Sequence, residues 1–397
     1  MQTHAQKHQP SICLFSALYA PSMGGVETYT QNLAVALGDM GCHVTVITTN
    51  THDAATSECH GNIEVLRLPC HNVLGGRYPI PKHNEAYRLT MDRLSNTPPD
   101  YVVVNTRFYP LSLEGLKFTR HLGITPVLIE HGSAHLSMGS PAVDSAVEMV
   151  EHAITKLDKR QRPVCYAVSK KASSWLSHFG IESAGELPNA INADKYAAQA
   201  SDRDFRKELG IAPESLLVAS IGRLVPEKGV TQLAQAAAQL HSEGRNVHVV
   251  MAGAGPLEDE LSSSTVPNLH LTGKLGKSDL AALYQQADVY CLPSRSEGFA
   301  TTLLESAACG TPAIVTNVGG TDELIPDERF GTIIPSMEPD MIATALRWAA
   351  ENPSALQEQG RAVGDRVRSI CSWEQTAKRT LEACKWANAT ERDAHND

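Results

Sequence analysis

Several familiar patterns are missing from this sequence of 397 residues. It has no apolar run near the roughly 20 residues that a helix needs to cross a bilayer. Its first ten residues lack the charged and then apolar segments of a signal peptide. Its nine cysteines include no CxxC pair, which disfavours a zinc or disulfide framework. These absences predict a cytoplasmic protein with reduced thiols, and they leave open contact with the inner face of a membrane.

Patterns for the common dinucleotide and metal sites are missing as well. There is no Walker loop, and residues 253–256 come closest to GxGxxG but lack the third glycine. His131 and His135 are four residues apart, but the sequence offers no third ligand beside them. A net charge of −10 argues against a nucleic-acid partner. We therefore predict no cofactor, no metal and no nucleic acid, and a nicotinamide oxidoreductase is poorly supported.

What the sequence does contain is one plan used twice. A strand, a glycine loop, a helix and a second strand follow one another from Ser11 and again from Leu216. This repetition predicts an α/β fold of two doubly wound domains in tandem. We place the linker around residues 188–201, where apolar periodicity is lost, and the two domains at residues 1–192 and 193–371. Residues 61–84, rich in Gly, Pro and aromatics without a period, are predicted to be a long functional loop.

Two carboxylates in the second half flank a predicted strand-to-helix turn. Glu297 falls in the loop after a buried strand, and Glu305 falls on the following helix. Ligands of open α/β sheets bind at such turns. Glu305 has a structural alternative, because Thr302 and Glu305 fit a helix capping box. Glu297 has none, which makes it the stronger candidate.

Two cations precede another predicted helix. Arg223 ends a strand and Lys228 stands just before the helix, where free amides already favour an anion. The pair therefore indicates a bound phosphate, with two solvated surface cations as the alternative. Gly24 and Gly25 open the first helix, where they either approach a ligand or only make a tight turn. His131 follows an apolar strand and is either a site residue or a structural histidine.

One region is basic although the protein is acidic. The default interpretation is a solvated helix face, and contact with anionic lipid or a lipid-diphosphate acceptor is the sharper alternative. The cations are Lys156, Lys159, Arg160, Arg162, Lys170 and Lys171.

These motifs together resemble a known family. The segment from Glu297 through Phe299 to Glu305 resembles the EGFG-x-x-x-x-E motif of the family-4 retaining glycosyltransferases, and residues 222–229 resemble their GRL-x-x-EKG motif. The resemblance covers nearly the whole chain. It implies the GT-B fold, with two Rossmann-like domains facing across a cleft and a last helix, here residues 372–390, crossing back onto the first domain.

The resemblance also implies a role for each matching residue. Arg223 and Lys228 would hold the donor diphosphate, with no metal needed. Glu297 would hold the transferred sugar, and Glu305 the ribose hydroxyls. The first domain would contribute His131, near the sugar and β-phosphate. The remaining implied donor contacts are Gly24, Gly25, Leu275, Gly298, Phe299, Ala300, Thr301 and Thr302.

The expected function is transfer of a hexose from a nucleoside-diphosphate sugar, UDP-hexose ahead of GDP-hexose, to a glycan or lipid-linked acceptor in cell-surface glycan synthesis. Ala300 stands where the family has Gly, which puts the identity of the sugar in question. Tyr78, Asn105 and Arg107 are the predicted acceptor contacts. The alternatives are a nucleotide-sugar epimerase of the same fold and a non-catalytic partner in glycan assembly.

Overall fold

The fold is built on two large sheets of mainly parallel strands, and helices alternate with these strands along the chain. The computed structural model describes residues 9–22, 24–135, 141–264 and 266–394. The chain divides into two compact units. The first is residues 1–189 with residues 373–397, and the second is residues 190–372. No helix in the described ranges has the length and apolar character needed to cross a membrane.

The strands of the first unit form one large sheet and one hairpin. The strands are β1 (Ser11–Ser16), β2 (His43–Thr49), β3 (Ser57–His60), β4 (Ile63–Leu68), β5 (Cys70–Val73), β6 (Tyr78–Pro81), β7 (Tyr101–Asn105), β8 (Val127–Glu130) and β9 (Val164–Ala167). The order in the large sheet is β3-β4-β2-β1-β7-β8-β9, with every strand parallel except β3, and β5 pairs with β6 in the hairpin.

The helices of this unit are α1 (Gly25–Asp39), α2 (Glu85–Asn96), α3 (Pro110–Leu122), α4 (Pro141–Lys159), α5 (Lys170–His178) and, from the C-terminal end, α15 (Trp373–Ala394). The final helix packs on α1, where the rings of Trp373 and Tyr29 lie edge to face at 5.2 Å.

The second unit has a single sheet of order β12-β11-β10-β13-β14-β15, in which every described pair is parallel. Its strands are β10 (Leu216–Ile221), β11 (Val247–Ala252), β12 (Leu269–Gly273), β13 (Val289–Leu292), β14 (Ala313–Thr316) and β15 (Thr332–Ile334). Its helices are α6 (Ala193–Ala198), α7 (Phe205–Glu208), α8 (Val230–Ser242), α9 (Glu258–Ser262), α10 (Lys277–Gln286), α11 (Thr301–Ala308), α12 (Thr321–Leu324), α13 (Pro339–Glu351) and α14 (Pro353–Ile370).

The central strands are buried along their whole length, as continuous apolar runs in a parallel sheet should be. Every residue of β10, β13 and β14 is buried, and so are the last five of β1. The repeated plan therefore predicted the fold correctly: two Rossmann-like α/β domains.

One local prediction is wrong. Residues 61–84 are not a long loop, because β4, β5 and β6 occupy much of the segment. The strand β5 is largely exposed and lies outside the main sheet. A four-residue strand with no buried face shows no apolar alternation, which is why the pattern did not reveal it.

Candidate functional site

Both sheets reverse their strand order at one position, and the candidate residues follow the strands on either side of it. In the second unit the reversal lies between β10 and β13, and in the first it lies between β1 and β7. Arg223 and Lys228 follow β10, and Glu297 follows β13. Ligands of open α/β sheets bind at this switch point, beyond the carboxyl ends of the strands.

The loops after β10 and β13 touch each other directly. The amide of Arg295 donates to the carbonyl of Glu227 at 2.8 Å. Gly229, at φ 67°, leads into α8, and a Cβ there would lie 2.3 Å from the carbonyl oxygen of Pro293. Only glycine satisfies both the positive φ and this close approach. The glycine of the EKG motif is therefore what lets the two loops meet.

This contact brings Lys228 and Glu297 together. The ammonium of Lys228 is hydrogen-bonded to Oε1 of Glu297, and the same oxygen accepts from the Ser294 hydroxyl at 2.9 Å. Both side chains are mostly buried, at 18% and 13% exposure. A charged pair that is this well shielded and still reachable from solvent is suited to binding a polar ligand.

Arg223 differs from Lys228 in having no partner. Its side chain is exposed and makes no hydrogen bond or ion pair to any other described residue. The loop after β10 therefore carries one paired and one unpaired cation.

Two glycines after β14 pack closely against the loop from Glu297 to Ala300. A Cβ on Gly319, at φ 55°, would lie 2.9 Å from the carbonyl oxygen of Gly298. A Cβ on Gly320 would lie 2.1 Å from the ring of Phe299. Phe299 and Ala300 are buried, whereas Glu297 and Gly298 remain partly exposed.

The helix α11 begins without a side-chain cap. Its N-cap is Ala300, and no side chain accepts from its first amides. The capping box of Thr302 with Glu305 is thus not formed, because Thr302 already lies inside the helix and its hydroxyl accepts from Tyr290 at 2.7 Å. The first amides of α11 remain available to an anion.

Glu305 sits among tyrosines. Burial raises the pKa of this carboxyl to about 7, while the hydroxyls of Tyr196 and Tyr284 and the charge of Lys277 pull it down. Tyr284 donates to the carbonyl of Thr302 at 3.1 Å. These tyrosines lie on α6 and α10 and belong to no motif, so the sequence alone does not single them out. Leu275, partly exposed, follows β12 on the same sheet.

In the first unit, Gly24 and Gly25 follow β1, and His131 follows β8. A Cβ on Gly24 would lie 2.4 Å from the Glu27 carboxylate, whereas a Cβ on Gly25 would meet open space. The Nε2 of His131 lies 3.0 Å from Oδ1 of Asn105, and its ring packs edge to face on Tyr29. Burial lowers the pKa of His131 to about 3, so the ring is neutral at physiological pH. With the amide oxygen of Asn105 facing the ring, Nε2 is the donor and Nδ1 is left as an acceptor.

Two of the three predicted acceptor residues are buried and have partners within the first unit. Arg107 is 2% exposed, and its guanidinium pairs with Glu130 at 2.5 Å and with Glu151 at 2.6 Å. Asn105 is fully buried against His131. Asn105 ends β7 and Arg107 follows it, and this position suggested a site. Their partners lie on β8, just after β8 and on α4, far away in sequence. Their side-chain contacts therefore lie in the interior of the first unit.

Tyr78 is the third predicted acceptor residue, and it remains partly exposed. Its hydroxyl donates to the carbonyl of Phe108 at 2.8 Å, and its ring stacks on Tyr109. Burial raises the pKa of this phenol to about 12. The hydroxyl is thus protonated and already engaged as a donor, while the ring is the part of Tyr78 that could stack on a ligand.

Comparison with known proteins finds glycosyltransferases. Residues 23–195 match the model described as Glycosyltransferase Family 4, and residues 201–365 match Glycosyl transferases group 1. A relative in Paenarthrobacter aurescens, named D-inositol 3-phosphate glycosyltransferase, is 27% identical over 93% of this chain and 94% of its own.

Solved structures share the fold at low identity. Sucrose-phosphate synthase from Thermosynechococcus elongatus has a TM-score of 0.74 at 20% identity, covering 96% of this chain and 100% of its own. Anabaena HepE in complex with UDP has a TM-score of 0.70 at 16% identity, covering 95% and 100%. The same protein has also been solved with UDP-glucose. The chain is therefore a hexosyl-transferring glycosyltransferase of GT-B fold, similar to family 4.

Proposed function

We propose that the chain transfers a hexose, with retention of configuration, from a nucleoside-diphosphate sugar to a glycan or lipid-linked acceptor. The observation that carries this proposal is the Lys228–Glu297 pair at the switch point of the second sheet. Lys228 lies in the loop after β10, which also carries the unpaired cation Arg223. UDP-hexose is the proposed donor, supported by the UDP and UDP-glucose that HepE is described as binding.

The diphosphate is assigned to the cations and the helix start. An ammonium has three N–H donors, and Glu297 uses one of those on Lys228, so two remain for phosphate oxygens. The exposed guanidinium of Arg223 adds a planar donor. The amides of Thr301 and Thr302 at the uncapped start of α11 supply further neutral donors.

The sugar and the nucleoside are assigned to the two carboxylates. Glu297, with the backbone of Gly298 and Phe299, holds the hexose, and the methyl of Ala300 limits the space around it. Glu305 accepts hydrogen bonds from the ribose hydroxyls, and the backbone at Leu275 meets the base. These roles follow the family resemblance, and the buried setting of Glu305 supports a selective contact with a neutral diol.

The first unit contributes Gly24, Gly25 and His131 to the donor. A neutral His131 serves through its free Nδ1, which accepts a hydrogen bond from a sugar hydroxyl, and not through positive charge. Gly25 has open space where a side chain would be, which lets a ligand approach the backbone of α1.

In the reaction, a bond forms between the acceptor oxygen and the anomeric carbon, and the bond from that carbon to the diphosphate oxygen breaks. The acceptor proton passes to the departing phosphate on the same face. Lys228 and Arg223 stabilise the charge that develops on the diphosphate, and this charge stabilisation is the main catalytic contribution.

A second acceptor class is favoured by one observation. The relative in Paenarthrobacter aurescens takes its name from D-inositol 3-phosphate, so a small phosphorylated polyol is the alternative to a glycan or lipid-linked acceptor. Tyr78 is proposed as a stacking contact for either class.

Contact with anionic lipid is proposed for α4 and the residues that follow it. Met149, Val150 and Leu157 are exposed apolar side chains on that helix, and Lys156, Arg160 and Arg162 are exposed cations. Lys159 is not included, because its ammonium donates to the carbonyls of Phe179 and Gly180 at 2.9 Å. Cosedimentation with anionic vesicles, but not with neutral ones, is the expected result.

The proposal is tested with a panel of UDP-, GDP- and ADP-hexoses. A ligand that binds the folded state alone raises the melting temperature, so the donor should stand out from the panel in a thermal-shift measurement. The selected donor is then incubated with glycan, lipid-linked and phosphorylated polyol acceptors. A retained anomeric configuration in the product is expected. Release of a free nucleotide sugar epimerised at C2 without acceptor would overturn the proposal.

A further inference from the structure

Three histidines and a glutamate from three segments of the first unit converge outside the site described above. His135 lies in the segment after β8, Glu148 and His152 lie on α4, and His178 ends α5. One ligand atom from each of the four lies within 4.8 Å of every other. We propose that this cluster binds a zinc ion or a similar borderline divalent cation.

The spacing of the three rings matches a common metal. The ring centres are 5.7 Å apart for His135 and His152, 5.2 Å for His135 and His178, and 5.3 Å for His152 and His178. Imidazole nitrogens at about 2.0–2.1 Å from one zinc in tetrahedral geometry place the ring centres roughly 5 Å apart. The imidazoles thus form a near-equilateral triangle of the size that a shared tetrahedral ion requires.

The fourth ligand and its support are present as well. Glu148 precedes His152 by four residues, so both side chains lie on one face of α4, with Oε1 and Nε2 4.0 Å apart. Oε1 of Glu148 is also 3.3 Å from Nε2 of His135. Three imidazoles and one carboxylate form a ligand set that suits zinc.

A buried carboxylate orients His135. The Nδ1 of His135 lies 2.7 Å from Oε2 of Glu151. The side chain of Glu151 is 5% exposed and is paired with Arg107. This contact fixes the proton on Nδ1 and turns the Nε2 lone pair towards Glu148. Nε2 is buried and has no hydrogen-bond partner among the described residues. A lone pair facing a carboxylate oxygen requires a cation between them, either a proton on Nε2 or a metal ion.

The surroundings favour the metal over the proton. Trp175 stacks on His178 at 4.9 Å, and Phe179 packs on His152 at 4.8 Å, so the cluster has an aromatic wall. His152 and Glu148 are 44% and 47% exposed, which leaves the ligands accessible to an ion from solvent. A single proton would satisfy His135 alone, whereas a metal explains why three rings face one point. Occupancy would tie the segment after β8, which also carries His131, to α4 and α5.

The test uses the full chain, freed of metal by chelation and dialysis. Isothermal titration calorimetry with zinc chloride should show one saturable site per chain. Cobalt(II) at the same site should give the visible absorption of a tetrahedral complex. His152→Ala and His178→Ala remove ligands that are exposed and bonded to few other groups, so both variants should fold. Each should weaken zinc binding by at least about tenfold.

Two matched controls separate this cluster from adventitious binding. His241 is an exposed histidine at the end of α8, and Cys59 is an exposed thiol. His241→Ala and Cys59→Ser should bind zinc as the wild type does. Zinc affinity that is unchanged in His152→Ala and His178→Ala, or binding that is lost equally in the controls, would overturn the proposal. So would a single-site titration that produces no tetrahedral cobalt spectrum.

Discussion

The ammonium of Lys228 is hydrogen-bonded to the carboxylate of Glu297, although the two residues lie 69 positions apart. The cation assigned to the leaving phosphate and the anion assigned to the sugar therefore form one pair at the switch point of the second sheet. Because both side chains are mostly buried, changing one alters the environment of the other.

Lys228→Ala should weaken binding of UDP by about tenfold or more while leaving binding of uridine unchanged. The lost interaction is a charged hydrogen bond to phosphate, and uridine has no phosphate. Isothermal titration with both ligands measures this. Lys207→Ala, which removes an exposed lysine of the same unit, is the control and should bind both as the wild type does. Equal losses for UDP and uridine would contradict the phosphate assignment.

Binding of UDP-glucose should weaken as the pH falls through about 7. Burial raises the pKa of Glu305 to about 7, and a protonated carboxyl accepts ribose hydrogen bonds poorly. UDP-glucose is a suitable probe because its phosphates do not titrate in this range. Dissociation constants at pH values of about 6 and 8 should differ in the wild type and agree in Glu305→Gln. If the wild type and Glu305→Gln showed the same pH dependence of binding, a group other than Glu305 would be responsible.

Glu305 should also make the protein less stable as the pH rises. Its pKa in the folded state, about 7, lies above the ordinary value of 4.5, so folding favours the protonated form. The stability from this group is fully present below about 4.5 and is lost as the pH rises through about 7. Melting temperatures of the wild type and Glu305→Gln should be similar near pH 5, and the wild type should melt lower near pH 8. A difference in melting temperature between the two proteins that stayed constant from about pH 5 to pH 8 would contradict this prediction.

Gly229→Ala should destabilise the second unit through a clash as well as through backbone strain. A Cβ at this position lies 2.3 Å from the carbonyl oxygen of Pro293, at φ 67°. Gly210 has nearly the same φ, 65°, but open space around its Cβ, so Gly210→Ala isolates the cost of the positive φ. We expect Gly229→Ala to lose about 1–3 kcal/mol more than Gly210→Ala in thermal unfolding. Equal losses would show that the two loops can separate freely.

Arg107→Ala should be strongly destabilising, by about 3–5 kcal/mol, because it leaves two buried carboxylates, Glu130 and Glu151, without their cation. The melting temperature of the variant measures this. Arg88 is exposed on α2, and Arg88→Ala should melt close to the wild type. If Arg107 served an acceptor at the surface, its removal would leave the melting temperature nearly unchanged.

The sequence predicted the fold well because its signals are local. Buried strands such as β10 and β13 appear as apolar runs, and glycines such as Gly229 mark the turns between a strand and a helix. The two sets of candidate residues, around Lys228 and around Glu297, were also found from local patterns. Their direct contact was not, because it depends on β13 lying next to β10 through a crossover that no spacing reveals.

Long-range partners account for the remaining errors. Arg107 has the position of a site residue at the end of β7, and only its burial between β8 and α4 shows that it is structural. His135 has no second candidate ligand in its own segment, while the three side chains that lie near it, and that we propose as its co-ligands, come from α4 and α5. In each case the chemistry of the side chain was clear from the sequence, and its partners were determined by the tertiary structure.

The central claim is that Lys228 stabilises the diphosphate as it leaves during hexosyl transfer. The most direct measurement is kcat/KM for transfer from the donor selected in the panel, in the wild type, Lys228→Ala and Lys207→Ala. We expect Lys228→Ala to lose at least about tenfold, the factor that corresponds to about 1.4 kcal/mol of lost transition-state stabilisation, with Lys207→Ala unchanged. Transfer by a folded Lys228→Ala at the wild-type rate would contradict the account.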